Sequence, residues 1–256
     1  MIRQIKTTAA CIAASMAIGT ASSATAQGFV GSADVKLSLP ANMDISADVE
    51  YRTADRLKHT DRWGLGAGLG YKVNKHLKIH AGYNFYQEFN PASTDRKGRD
   101  VNSFWASKHR AYAGLTGSIK VWKFELSLRE RYQYTYRTEL EVPRFDEGEP
   151  DGNKTVDAKS KHVLRSRLQV SFKPYKKCRF EPYASYELYS LLHTQNHTEH
   201  AGTSGKAVDK WRITAGCSYK INRHNSVELF YRYVHATDPD EYDAANQIGV
   251  SYSLKF

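Results

Sequence analysis

The sequence predicts an all-β protein, a closed antiparallel transmembrane up-and-down β-barrel. Three observations indicate this class. Most of the chain consists of segments of about ten residues in which apolar and polar side chains alternate, the N-terminus has the layout of a secretory signal, and the last strand ends on an aromatic residue. A period of two is typical of a strand whose two faces meet different surroundings. We therefore expect about ten strands, with short periplasmic turns and long extracellular loops.

Residues 1–26 are predicted to be a cleaved signal peptide. Arg3 and Lys6 precede an apolar stretch from Ala9 to Ile18, and small residues ending at Ala26 follow. The stretch is shorter than the roughly 20 residues of a spanning helix, so an anchor is disfavoured. We place cleavage after Ala26 and predict location in the bacterial outer membrane. Export also argues against nucleic acid as a partner, in spite of the net charge of +10.

Residues 43–256 are predicted to form the barrel, and residues 27–42 a lead-in. In the first strand, apolar side chains from Met43 to Tyr51 alternate with polar ones from Asp44 to Arg52. Further strands are expected at residues 63–73, 77–87, 110–120, 122–137, 163–173, 180–190, 211–220, 227–235 and 247–256. A stretch at residues 35–39 would add a strand and break the even count unless another strand is hidden. Twelve strands therefore stay possible.

The connections between these strands alternate in length. Tight turns at residues 74–76, 120–121, 174–178 and 222–224 alternate with long loops at residues 88–109, 138–162 and 191–210. An even strand number would place both termini on the periplasmic side. Within these loops, the segments at residues 95–100, 146–157 and 203–209 are rich in Gly, Asp and Lys, so we expect them to be solvated and mobile and to be poor candidates for a core.

One internal repeat is visible in the sequence. The segment WGLGAGLGYKVNKH at residues 63–76 resembles WRITAGCSYKINRH at residues 211–224. The two segments match at Trp, Gly, Tyr-Lys, Asn and His. Each covers a predicted strand and the tight turn after it, so two hairpins are expected to share a plan.

The two faces of the strands differ in a way that favours a membrane barrel over a soluble sandwich. Aromatic residues cluster near the strand ends of the apolar face, as in the girdles of membrane barrels. The other face is too charged for a sandwich core, and charges need water or partners. We predict a network of charges in the lumen, formed by Arg129, Arg131, Arg165, Arg167, Glu187, Arg212, Glu228, Arg232 and Glu50.

Two further features concern these faces. Four glycines, Gly64, Gly66, Gly68 and Gly70, fall on the inward face of one strand and leave room along it, either for the packing of long side chains opposite or for a passage. Glu130 departs from the pattern, because its parity places it on the apolar face. A local bulge is the alternative interpretation for Glu130.

The segments RLQVSFKPYKKCRFEPYASYELY, WRITAGCSYKINRHNSVELFYRY and IGVSYSLKF resemble an uncharacterised family of outer-membrane proteins, the domain of unknown function numbered 2490. The best matches are Arg165, Arg167, Glu181, Pro182, Tyr183, Glu187, Leu188, Arg212, Tyr219, Glu228, Leu229, Tyr231 and Arg232. The resemblance implies a barrel and assigns no activity.

Candidate chemical sites in the sequence are weak. His193, His197 and His200 have a loose metal-like spacing inside a predicted loop. A solvated loop is the simpler interpretation, so we predict no metal, no cofactor and no catalytic residue. The alternative is an outer-membrane enzyme that hydrolyses lipid or peptide at the extracellular rim, where His235, Asp238 and Asp240 fall.

The expected function is that of a plugged or narrow-lumen barrel with a structural or small-solute permeation role. About ten strands leave little space once large arginines fill the lumen. The expected partners are outer-membrane lipid and lipopolysaccharide, together with the barrel assembly machinery. The machinery would read the last strand, which resembles a C-terminal assembly signal ending at Phe256.

Overall fold

The computed structural model describes residues 27–54, 58–95, 97–175, 178–196, 207–236 and 246–256. The predicted signal peptide, residues 1–26, lies outside this range. The strands are β1 (Gln27–Ser38), β2 (Met43–Ala54), β3 (His59–Lys72), β4 (Leu77–Asn90), β5 (Ser93–Thr94), β6 (Asp100–Val101), β7 (Phe104–Val121), β8 (Phe124–Arg137), β9 (Leu140–Asp146), β10 (Glu149–Val156), β11 (Lys159–Phe172), β12 (Phe180–Asn196), β13 (Val208–Lys220), β14 (Asn225–Ala236) and β15 (Asn246–Lys255). Within these ranges, no helix has the length and apolarity to cross a membrane.

Eleven of the described strands form a closed barrel, in the order β1-β15-β14-β13-β12-β11-β8-β7-β4-β3-β2, with β2 returning to β1. The predicted all-β barrel is therefore confirmed, with eleven strands in place of ten. The extra strand is β1, which contains the stretch at residues 35–39. No twelfth barrel strand is present in the described ranges.

An odd strand number changes how the ring closes. Strands alternate in direction along the chain, so the first and the eleventh run the same way. The seam is accordingly parallel, and it runs in continuous register from Gln27 opposite Asn246 to Lys36 opposite Lys255. All the other barrel pairs are antiparallel. The prediction of an entirely antiparallel barrel is wrong at this seam.

The seam also places the two ends of the described chain at opposite ends of the barrel. Strand β15 finishes beside the short turns, where Ser38 N donates to Phe256 O at 2.8 Å. Strand β1 starts at Gln27 beside Asn246, at the end that carries the long loops. The expectation that both termini lie on the short-turn side depended on an even strand number and is wrong for β1.

The internal repeat produces the same turn twice. In the turn between β3 and β4, Asn74 Oδ1 accepts from the backbone N–H groups of His76 and Leu77, at 2.7 and 2.9 Å. In the turn between β13 and β14, Asn222 Oδ1 accepts from His224 and Asn225, both at 2.8 Å. Side-chain acceptance of this kind is how Asn stabilises tight turns.

The histidine of each repeat then contacts a strand outside its own hairpin. The Nδ1 atom of His76 lies 3.0 Å from Ser118 O on β7, and that of His224 lies 2.7 Å from Lys255 O on β15. The histidine that occupies the same position in both copies of the repeat thus links each hairpin to the next strand in the ring.

The outer surface of the barrel is apolar. Leu65, Leu69 and Ile248 are between 53% and 57% exposed, because their side chains point away from the lumen. Exposed aromatic side chains lie near the strand ends, among them Trp63 toward the long loops and Tyr71 toward the short turns. A continuous apolar surface of this kind is what a lipid-facing barrel requires.

Glu130 lies on this outer face, as its parity predicts. Neither β8 pairing shifts register at Glu130, so there is no bulge. Its Oε2 atom accepts a hydrogen bond of 2.6 Å from Ser166 Oγ on β11, directly opposite. A carboxylate with this partner is more easily tolerated among apolar neighbours than one with none.

Two of the long loops contain ordered structure. Strands β5, β6, β9 and β10 form a second sheet, in the order β10-β9-β6-β5. Its side chains Val101 and Val142 are each 1% exposed, the lowest values among large side chains in the described residues. Val101 and Val142 both lie outside the segments at residues 95–100 and 146–157 that were expected to be poor core candidates. Asp95 and Arg99 join β5 to β6 through a 2.7 Å ion pair.

The β5–β6 turn should respond to acid. The side-chain hydrogen bonds from Arg99 lower the pKa of Asp95 to about 2. Because this folded-state pKa lies below the ordinary value near 4, the ion pair should stabilise the turn fully above pH 4. Its contribution should be lost as the pH falls toward 2. An NMR titration of the Asp95 carboxyl checks this.

Arg99→Gln should return the pKa of Asp95 toward its ordinary value. Arg144→Gln is the matched control, because Arg144 contacts Asp151 and not Asp95. Equal shifts in the two variants would show that the general positive charge of the loops, and not the Arg99 contact, sets this pKa.

Candidate functional site

The lumen of the barrel is the candidate functional site, because the charged residues gather there. Along β2, Asp44 and Arg52 point inward and are each 4% exposed, whereas Ile45 and Val49 between them are 41% and 49% exposed. Burial is thus inverted relative to a soluble protein, with charges inside and apolar side chains outside. Charges buried in this way must be compensated by partners.

The best-compensated group centres on Glu187 of β12. Arg165 Nη2 donates to both carboxylate oxygens of Glu187, at 2.7 and 2.8 Å, and Arg167 Nε lies 3.3 Å from Oε1. The Tyr189 hydroxyl donates to Oε2 at 3.0 Å and accepts from Arg212 Nη1 at 2.9 Å. The Glu187 carboxylate and the Tyr189 hydroxyl together therefore link three strands, β11, β12 and β13, inside the lumen.

Glu50 of β2 forms a second group with partners that the sequence analysis did not include. Its Oε1 atom lies 3.0 Å from Arg52 Nε and 2.7 Å from Arg62 Nη2. Near the short turns, Asp44 takes a similar place, at 3.3 Å from Lys36 Nζ and 2.9 Å from Lys78 Nζ. These groups tie β1, β2, β3 and β4 together from the inside.

The other predicted members have different partners. Glu228 accepts from the Tyr183 hydroxyl at 2.6 Å. Arg232 donates to Gln247 Oε1 at 3.4 Å. In the described part of the chain, no carboxylate lies within ion-pair distance of Arg129, Arg131 or Arg232. The nine predicted residues thus all point into the lumen without forming one continuous network.

A repeated glycine–aromatic arrangement lines the lumen. Inward aromatic rings stand directly opposite glycines on a neighbouring strand. The pairs are Tyr86 with Gly64, Tyr112 with Gly82, Tyr183 with Gly216, and Phe230 with both Gly216 and Gly249. A Cβ added at Gly82 would lie 2.5 Å from Tyr112 Cζ, and one at Gly216 would lie 2.9 Å from Tyr183 Cε1. The missing side chains let the rings lie against the barrel wall.

Cations stack on the inner faces of several of these rings. Arg131 lies 4.2 Å from the Tyr112 ring centroid, Arg62 lies 4.4 Å from Tyr86, and Arg232 lies 4.8 Å from Phe230. From the barrel wall toward the lumen, a glycine, an aromatic ring and a guanidinium group therefore follow one another. These aromatics were not predicted as lumen residues, because aromatic residues were expected only in the girdles. Strand parity was the signal that indicates their inward direction.

Well-buried side chains line the loop half of the lumen. Inward side chains on nine strands are only 2% to 7% exposed, and together they define what we name the closed layer. Its members are Val30, Arg52, Asn84, Gln133, Val163, Glu187, Arg212, Val234 and Gln247. These side chains face the inside of the barrel and have little contact with solvent.

The short-turn half keeps a cavity of about 190 Å³. Its walls come from β2, β3, β4, β7 and β8, and its lining includes the charged residues Asp44, Lys78, Arg129 and Arg131 together with His80. Asp44 and Lys78 follow directly on short turns, which places the cavity toward that end of the barrel. The glycine stripe of β3 does not form a passage, because inward side chains of β2, β4 and β7 pack over it.

The weaker candidate sites do not assemble in the described residues. The ring of His193 lies 5.7 Å from that of His162, and His197 and His200 fall outside the described ranges. His235 stacks on Trp211 with ring centroids 5.3 Å apart, whereas Asp238 and Asp240 are also outside those ranges. Among the described residues, no group of three or more His, Cys, Asp or Glu side chains is arranged to hold a metal ion.

The fold and the lumen define the class of this protein: a closed β-barrel with an apolar outer surface and a charged interior. The chain belongs to the family described as "Protein of unknown function (DUF2490)", whose model matches residues 29–245. The family resemblance seen in the sequence is confirmed. No curated protein matches the chain.

Solved structures with a similar fold include two domains of autotransporters. The translocator domain of autotransporter NalP from Neisseria meningitidis has a TM-score of 0.50 at 12% identity, with 77% of this chain and 70% of that chain covered. The beta domain of the Bordetella autotransporter BrkA has a TM-score of 0.47 at 12% identity, with 82% and 78% covered. At this identity, the likeness to the first of these supports the barrel fold alone.

The packing of rings on glycines should be sensitive to a single methyl group. Gly249→Ala would place a Cβ inside the van der Waals envelope of the Phe230 ring. We expect this overpacking to destabilise the barrel by about 1–3 kcal/mol. The measurement is the free energy of unfolding by urea in lipid vesicles, followed by tryptophan fluorescence.

Gly117→Ala is the matched control, because a Cβ at this outward-facing position meets no atom closer than 4.0 Å. It should change the free energy of unfolding by less than about 0.5 kcal/mol. Equal destabilisation by the two substitutions would contradict the packing role of Gly249, since it would point to a general cost of losing glycine from a strand.

Proposed function

We propose that the protein is an outer-membrane β-barrel whose filled lumen prevents free diffusion, and that it serves a structural or interaction role in the envelope. The apolar outer surface and the signal-like N-terminus support the location. The closed layer supports the absence of an open pore. The partners in this proposal are outer-membrane lipid and lipopolysaccharide, in contact with the outer surface and the long loops.

The burial of charged side chains inside the barrel carries this proposal. Glu187 and Arg212 face the lumen and are 4% and 6% exposed. In a water-filled pore such side chains would be hydrated. Small barrels are generally filled by their own side chains, whereas wide aqueous channels have 16 or more strands. An eleven-stranded ring with this interior belongs with the filled barrels.

Permeation of small solutes is the second candidate, favoured by the cavity in the short-turn half. A solute would enter there and meet Arg129 and Arg131, which would favour anions. To cross, it would have to displace the closed layer. The rim enzyme is a third hypothesis without such support, and analysis of lipid and peptide products after incubation with the purified protein tests it.

Conductance in planar bilayers tests the proposal directly. The purified wild-type protein should give no current steps. The double variant Tyr189→Ala/Arg212→Ala removes two large side chains from the lumen near the Glu187 group and should produce measurable steps. Ile213→Ala is the control, because Ile213 points outward beside Arg212 and is 48% exposed. It should stay silent.

Steps from the wild-type protein would contradict the closed lumen. If Arg167→Ala then altered the size or anion selectivity of those steps, the permeation role would replace the structural one. Silence of the double variant, in a sample shown to be folded, would mean that residues other than Tyr189 and Arg212 close the lumen.

Assembly into the outer membrane should depend on the last residue. Phe256 follows the seam strand β15: its backbone N–H donates to Lys36 O at 2.9 Å, and its side chain is 59% exposed, with its ring centroid 5.8 Å from that of His224. Phe256→Ser should lower the amount of protein in the outer-membrane fraction several-fold. Tyr71→Ser, at an exposed aromatic of the same barrel end, is the control and should have little effect. Equal losses of the two variants from the outer-membrane fraction would indicate that assembly depends on exposed aromatic residues at this end of the barrel in general, and not on Phe256 in particular.

A further inference from the structure

We propose that the cavity in the short-turn half of the lumen binds a small oxyanion, with Arg129 and Arg131 as its main cationic partners. The ligand class is an anion with phosphate, sulfate or carboxylate oxygens. This inference is independent of whether the barrel conducts, because a site that opens only at one end needs no passage through the closed layer.

Missing counterions are the first argument. Most lumen cations have a carboxylate within ion-pair distance: Arg165 and Arg167 have Glu187, Arg62 has Glu50, Lys108 has Glu88, and Lys173 has Glu125 and Glu181. Arg129 has no ion pair or hydrogen bond within the described residues, and its Nε atom is buried without a partner. Buried charge without compensation is costly.

Arg131 is only partly compensated. Its Nε atom donates to His80 Nε2 at 3.4 Å, and its guanidinium stacks on Tyr112. Neither contact supplies negative charge. Arg129 and Arg131 are two residues apart on β8, so their side chains enter the lumen on the same face. Together they bring two positive charges to this place, with no carboxylate at ion-pair distance among the described residues.

The acids near the cavity do not remove this charge. Asp44 is already shared between Lys36 and Lys78, so it is matched by two cations. Asp48, the next charged inward residue of β2, lies outside ion-pair distance of Arg131. The lining of the cavity therefore remains positive overall.

The cavity also offers room and neutral donors. Its volume of about 190 Å³ is several times the roughly 30 Å³ that one water molecule occupies in the liquid. Tyr112 and Thr116, whose side chains carry hydroxyl groups, line it together with the two arginines. Because Arg131 donates to His80 Nε2, the proton of the neutral imidazole lies on Nδ1, which is a further donor. Guanidinium groups with neutral donors are the usual environment of bound oxyanions.

Isothermal titration calorimetry of the full-length protein in detergent tests the proposal. Sodium phosphate, sodium sulfate and sodium acetate are titrated separately at constant ionic strength, so that tetrahedral and planar oxyanions are distinguished. We expect saturable binding of at least one anion with one site per barrel. Arg129→Gln should weaken this binding by about tenfold or more, which corresponds to about 1.4 kcal/mol.

Arg110→Gln is the matched control. It removes the same charge from the lumen, but Arg110 stacks on Tyr86 and donates to Thr135, away from the cavity. It should change the affinity by less than about twofold. Thr116→Val, which keeps every charge, should weaken binding by a smaller factor than Arg129→Gln and provides a second variant if Arg129→Gln does not fold.

Two results would overturn the proposal. One is the absence of saturable binding of all three anions to the folded wild-type protein. The other is equal weakening by Arg129→Gln and Arg110→Gln, which would indicate general attraction to a positive lumen. Resistance of each variant to SDS before heating verifies that the barrels compared are folded.

Discussion

The closed ring of backbone hydrogen bonds is the constraint on which the rest of this structure depends. In hydrocarbon, an unpaired strand edge would leave a row of N–H and C=O groups without partners. The ring avoids this by pairing β1 with β15 over their common length. Because eleven strands alternate in direction, the seam has to be parallel, and it has to bring the start of β1 to the loop end. The position of both described chain ends thus follows from one strand count.

Closure in turn imposes a problem of charge inside the barrel. Each strand has one face toward the lumen, and in this chain that face carries arginines, lysines and acids. The structure solves much of the problem by sharing single carboxylates among several cations, as Glu187, Glu50 and Asp44 each do. Aromatic rings laid on glycines provide further surfaces on which guanidinium groups stack. These contacts link strands from the inside, in addition to the backbone ladder.

The two halves of the lumen differ in how complete this compensation is. In the loop half, the side chains of the closed layer are only 2% to 7% exposed, and Glu187 of this layer is paired with Arg165 and Arg167. In the short-turn half, a cavity remains beside Arg129 and Arg131, which have no carboxylate partner in the described residues. This asymmetry underlies both proposals: a barrel that does not conduct freely, and a one-ended site for a small oxyanion. The long loops, two of which form a sheet, provide a separate surface at the opposite end.

The sequence by itself determined the fold class and the face on which each strand residue lies. Alternation with period two is a local property, so the inward positions of Asp44, Arg165 and Glu187, and the outward position of Glu130, could be predicted. The repeat likewise predicted two similar turns. Strand β1 was harder, because its alternation is short and its existence contradicted an even count.

Only the tertiary structure decided which inward residues meet. The pairing of Glu187 with Arg165 and Arg167, the place of Tyr112 on Gly82 and the isolation of Arg129 depend on register and on the curvature of the closed ring. These bring together residues far apart in the chain, and a local pattern contains no information on such distances. The parallel seam has the same origin, since only closure of the ring makes β1 and β15 neighbours. The second sheet likewise depends on pairing between distant segments, because β6 of one loop pairs with β9 of another.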